Sequence, residues 1–104
     1  MTELEEHFHS AMLDVHNRAR SEAGYNASRF LSMVSERGGY DAARTLLHAA
    51  NVSDGYTALW ERQRLDLTVE AVILNSEWHE LFSEAERTIA RERLRRIWLR
   101  LRPT

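Results

Sequence analysis

Cysteine is absent from this 104-residue chain. No disulfide, thiolate nucleophile, cysteine zinc site or cysteine-held iron–sulfur cluster can therefore form. Small secreted domains usually carry such staples, so the expected setting is a reducing, cytoplasmic one. Lysine is absent as well: all 14 basic residues are arginine. That excludes a P-loop lysine and Schiff-base chemistry. Arginine brings instead a planar fork suited to carboxylates and phosphates. One proline and four glycines leave little room for long linkers. The longest apolar run, Ala71-Val72-Ile73-Leu74, is four residues and far too short for a membrane span. The acidic start, Met1-Thr2-Glu3-Leu4-Glu5-Glu6, has neither the basic nor the apolar region of a signal peptide, and none is expected.

What remains is balanced. Sixteen acidic residues against the 14 arginines give a formal charge of −2, with no excess that singles out nucleic acid or a membrane. The size and the 43% apolar content fit one globular domain.

The apolar spacing is helical almost throughout. Leu4, Phe8, Ala11, Met12, Val15 and Ala19 predict a first helix over residues 2–23, ended by Gly24. Asn26 is the expected cap of a second helix carrying Phe30, Leu31 and Val34, closed by Gly38-Gly39. Asp41 is the expected cap of a third, and Ser53 or Asp54 of a fourth around Tyr56, Leu59 and Trp60. The β-branched stretch from Leu65 to Leu74 has no partner strand in the sequence, so it reads as a helix capped near Asp66 or Thr68. Asn75-Ser76 break it, and a short turn follows through Trp78, Leu81 and Phe82. Ser83-Glu84-Ala85-Glu86 is a capping box for a last helix over residues 84–101, stopped by Pro103. The sum is an all-α, compact single-domain bundle of six to seven short helices. Phe8, Phe30, Trp60, Trp78, Phe82 and Trp98 are the expected large core residues, though some are candidates for a partner-facing surface.

Several runs carry a resemblance. They are Gly24-Tyr25-Asn26-Ala27-Ser28-Arg29-Phe30-Leu31, then Gly38-Gly39 with Ala42-Ala43-Arg44 and Leu46-Leu47, Asp54-Gly55-Tyr56-Thr57-Ala58-Leu59-Trp60 and Arg64-Leu65-Asp66-Leu67-Thr68-Val69-Glu70. Leu81-Phe82 and Ala90-Arg91-Glu92-Arg93-Leu94 follow. In this order they resemble a small uncharacterised bacterial all-helical domain family across residues 24–94. The resemblance implies an interaction domain and supplies no catalytic residues.

No catalytic or metal constellation is complete. His9 and His16 share a helix face but stand roughly 10 Å apart along it, too far for one metal ion. Asp66 and Glu70, four apart, would share a helix face. An aspartate cap and a glutamate paired with arginine, in its most interesting form a buried clamp between helices, account for them without catalysis. No metal or other cofactor is expected.

The last helix is the strongest surface signal. From Arg93 onward it holds five arginines and no acid. Cations there complement the helix dipole, but they also offer a basic contact face. Arg91, Arg95, Arg96, Trp98, Arg100 and Arg102 are the candidate partner-binding residues. A loose helix-turn-helix over residues 43–64, with Leu46, Ala50, Val52 and Trp60 as core positions, offers Arg62, Gln63 and Arg64 as alternative nucleic-acid contacts. The leading expectation is a non-enzymatic protein-binding module in a bacterial or phage setting. The alternative is nucleic-acid binding. The acidic start and basic end also suit self-association into a homo-oligomer.

Overall fold

A computed structural model describes the backbone of residues 2–101 and the side chains of residues 2–96. Helix α1 runs Glu3–Ala23, α2 Ser28–Arg37, α3 Gly39–His48, α4 Asp54–Glu61, α5 Val69–Ile73 and α6 Glu84–Leu101. Short 3₁₀ turns cover Leu65–Leu67 and Ser76–Trp78, and there is no strand among the described residues. The all-α reading therefore holds. A radius of gyration of 13.1 Å matches the ~13 Å of a compact domain of 100 residues.

Local chemistry sets the ends. The Thr2 hydroxyl accepts from the Glu5 amide while the Glu5 carboxylate accepts from the Thr2 amide, closing a capping box on α1. Gly24, with φ 66°, ends that helix in the left-handed region. The capping box expected at α6 is present: the Glu86 amide donates to Ser83 Oγ and the Ser83 amide to Glu86 Oε1.

Two helix starts differ from expectation, and a third helix begins at Thr68, one of its two expected caps, but is shorter than expected. Helix α2 follows Ala27 without any side-chain cap, and Asn26 lies outside it. Gly38 alone separates α2 from α3, so Asp41 sits inside the first turn of α3 rather than capping it. The Leu65–Leu74 stretch is not one helix. Thr68 has an extended backbone (ψ 155°), and its Oγ1 accepts from the Ala71 amide while donating to the Leu65 carbonyl. A local side-chain bond here outcompetes helix continuation.

The main core gathers Phe8 and Met12 of α1, Val34 of α2, Ala42, Ala43 and Leu47 of α3, Ile73 of α5, Trp78 and Phe82 of the segment between α5 and α6, and Ala90 of α6. Phe8 is its centre: Trp78 and Phe82 meet it edge-on at 5.4 and 5.3 Å. Tyr40 packs on Phe82 and donates its hydroxyl to the Leu81 carbonyl at 2.6 Å. Helices α1 and α3 cross closely because Gly39 has no side chain. A Cβ there would stand 2.6 Å from the His9 Cα. The Gly39 amide donates to His9 Nδ1 at 2.9 Å across the same crossing. A second, smaller cluster joins Ala19, Leu59 and Leu67. Phe30 and Trp60 are only half-buried, and Trp98 lies outside the described side chains.

Candidate interaction face and cavity

The arginines of α6 fall into two groups. Arg87 and Arg93 turn inward. Arg87 donates to the carbonyls of His79 and Phe82, tying α6 to the chain before it. Arg93 donates to the Glu70 carboxylate at 3.0 Å and to the carbonyls of Leu46 and Ala49 at 3.2 and 2.7 Å. It joins α6 to α5 and to the open end of α3, whose last carbonyls need donors.

Arg91, Arg95 and Arg96 turn outward. All three are exposed; Arg91 and Arg95, four apart, share a face, and Arg96 lies roughly 100° further round the helix. Arg95 lies 3.7 Å from Glu92, an exposed pair. Arg91 and Arg96 meet no carboxylate among the described residues. Arg102 and Pro103 lie outside the described residues, and the side chains of Trp98 and Arg100 outside the described side chains.

Arg62, Gln63 and Arg64 serve the fold. Arg62 donates to the carbonyls of Ala23 and Ala58 and lies over the Tyr25 ring. Gln63 has φ 60°, the left-handed residue of the turn after α4. Its amide reaches the Trp60 carbonyl, and the Arg64 amide reaches that of Leu59 at 2.8 Å. This is a Schellman turn with glutamine where glycine is usual. Arg64 then grips Asp66 with two nitrogens and Glu22 with one. Two of the four core positions of the helix-turn-helix reading, Ala50 and Val52, are exposed.

Asp66 and Glu70 do not share a helix face. The break at Thr68 puts Asp66 in the 3₁₀ turn beside Arg64 and Glu70 in α5 beside Arg93. The clamp between helices exists, but its arginine comes from α6.

Two features have no counterpart in the expectations above. The first is Glu86, which accepts from Arg44 Nε at 2.9 Å and lies 2.8 Å from His48 Nε2. Burial pushes its carboxyl pKa up. The Ser83 amide, His48 and Arg44 outweigh that and hold it down at about 2.

The second is a cavity of about 390 Å³ between α1, α2, α4 and the segment around Leu67. Its walls include His16, Phe30, Met33, Tyr56, Leu59 and Leu67. His16 is 3% exposed, and its Nδ1 has no hydrogen-bond partner. In the sequence, His16 occupies an ordinary position in the α1 pattern, so nothing there marks it out.

Among the described residues, no group of three or more His, Asp or Glu side chains is placed to hold a metal ion. No described helix is long and apolar enough to cross a membrane. The chain matches no protein-family model, no characterised protein and no solved structure.

Proposed function

We propose that the chain is a non-enzymatic helical module that binds an acidic protein surface through the outward face of α6. The observation that carries this reading is the division of the α6 arginines. Arg87 and Arg93 are consumed by the fold, and Arg91, Arg95 and Arg96 are left exposed on the outer side of the helix. The Glu70–Arg93 clamp fixes the helix that presents them, so little backbone order has to be gained on binding. Arginine suits the task, because its fork engages carboxylates in pairs of bonds. Trp98, Arg100 and Arg102 continue the basic stretch in sequence and belong to the same proposed contact. Such a face serves a protein partner in a cytoplasmic, bacterial or phage setting.

The test is capture of partners from native lysate by the wild-type chain and by Arg91→Glu/Arg95→Glu/Arg96→Glu. The reading expects a stoichiometric protein on the wild type and its loss from the variant. Equal capture by both removes the α6 face from consideration.

A further inference from the structure

The apolar core falls into two separate clusters. The cavity of about 390 Å³ takes its walls from both: Ala19, Leu59 and Leu67 belong to the smaller cluster, and Phe30, Met33 and Val69 pack against the larger one. Protein interiors are close-packed and keep few voids larger than a water molecule, so a space of this size is not ordinary packing slack. At its mouth Arg29 of α2 and Asp54 of α4 stand 3.7 Å apart, both side chains more than nine-tenths exposed. An exposed pair of this kind is weak and does not seal the entrance. Its opposite charges also give the mouth no preference for a ligand charge of either sign.

The wall decides what the space can hold. Tyr56 is buried, and its hydroxyl is committed to the Arg93 carbonyl at 2.8 Å. Thr68 is buried, and its hydroxyl bonds both Leu65 and Ala71. Ser53 Oγ accepts from the Tyr56 amide. His16 Nδ1 has no partner, but that atom is itself buried and cannot be reached from the cavity. The Tyr25 hydroxyl lies beside Gly55 in the first turn of α4, at the mouth. The other polar side chains of the lining, Asn26, Ser28, Arg29 and Asp54, are exposed and keep their water. The deep wall thus offers a ligand carbon and no free side-chain donor or acceptor. A polar group carried inside sheds its water and finds no partner, which is costly. An apolar group sheds water at a gain.

We infer that this cavity binds a small uncharged hydrocarbon-like molecule, one with no hydrogen-bonding group on the part that enters. The ligand fills the space between the two clusters and joins them into one core. The cavity of about 390 Å³ is two to three times the roughly 150 Å³ of a dry apolar cavity that holds one benzene, so a body of about ten to fifteen carbons fits it. None of the outward arginines of α6 lines it, and the site stands apart from the proposed protein contact.

Three probes sharing a para-methylphenyl body test this: p-xylene, p-cresol, with a hydroxyl in place of one methyl, and p-toluate, with a carboxylate there. Each is titrated into the full chain and followed by amide chemical shifts. p-Xylene should saturate one site with a dissociation constant below about 1 mM. Its protons should show nuclear Overhauser contacts both to Met33 and to Leu59 or Leu67, one from each side of the gap. p-Cresol should bind at least about fivefold more weakly, because its hydroxyl loses water without gaining a partner, and p-toluate more weakly still. Ala19→Leu, which fills part of the space, should weaken p-xylene severalfold. A folded Ala19→Leu that binds p-xylene as the wild type does overturns the inference. So does wild type that binds p-cresol or p-toluate as tightly as p-xylene, or p-xylene shifts that spread over the surface without saturating. These wild-type results decide the matter whether or not the variant folds.

Discussion

Glu70 and Arg93 form a largely buried clamp between α5 and α6. Their side chains are only 5% and 13% exposed, and Arg93 Nη1 donates to Glu70 Oε2 at 3.0 Å. Removing one partner strands a buried charge, which typically costs about 3–5 kcal/mol. Arg93→Ala is expected to lose that much in urea denaturation. Glu70→Leu/Arg93→Met, which removes both charges, is expected to cost less than Arg93→Ala alone. A double variant as unstable as the two singles combined would show that the pair is not coupled.

Acid should weaken the fold through Glu86. Its carboxyl pKa is held at about 2 in the folded chain against an ordinary value of 4.5. A depressed folded value contributes stability above the ordinary pKa, and that stability is lost as pH falls toward the folded one. The urea midpoint should therefore drop between about pH 4.5 and pH 2. Exposed Glu22, held at about 2 by its hydrogen bonds to Arg18 and Arg64, loses stability over the same window but is screened by salt. At high salt, Glu86→Gln should be less stable than wild type at pH 7, and the gap should narrow by pH 2. A constant gap across that range contradicts the assignment.

Two glycines should respond differently to alanine. Gly24→Ala meets no neighbouring atom but sits at φ 66°, so it should cost about 1 kcal/mol of backbone strain. Gly39→Ala drives a methyl against the α1 backbone, and overpacking of this kind costs roughly 1–3 kcal/mol. Thermal denaturation of both variants checks the order. Gln63→Gly runs the other way. It should stabilise the chain by up to about 1 kcal/mol by relieving the left-handed glutamine.

Much of the helical layout was legible because apolar periodicity and end signals agree along α1 and α6. Gly24 and the Ser83–Glu86 box marked their ends correctly. The helix starts that differ share a cause: an isolated polar residue suggests a cap where tertiary packing decides. Asn26 and Asp41 look like caps, yet α2 follows Ala27 and the Gly39–His9 crossing places the start of α3. Thr68 is one of the two caps the sequence offers, and it does cap α5; what the pattern hides is the 3₁₀ turn before it, whose bonds are local and leave no periodic trace. The arginines of α6 were identified as a set, but Arg93 could not be separated from Arg91 and Arg95 without knowing where Glu70 and the end of α3 lie. The cavity is built from residues of α1, α2, α4 and the Leu67 segment, and no single stretch of chain carries its pattern.

The proposed partner of the α6 face is a protein and not nucleic acid. The most direct measurement divides the wild-type capture from native lysate into nuclease-treated and untreated halves, read by mass spectrometry. The account predicts the same stoichiometric protein in both halves. Nucleic acid in the untreated half, with the protein partners lost after treatment, would contradict it and turn Arg91, Arg95 and Arg96 into phosphate contacts.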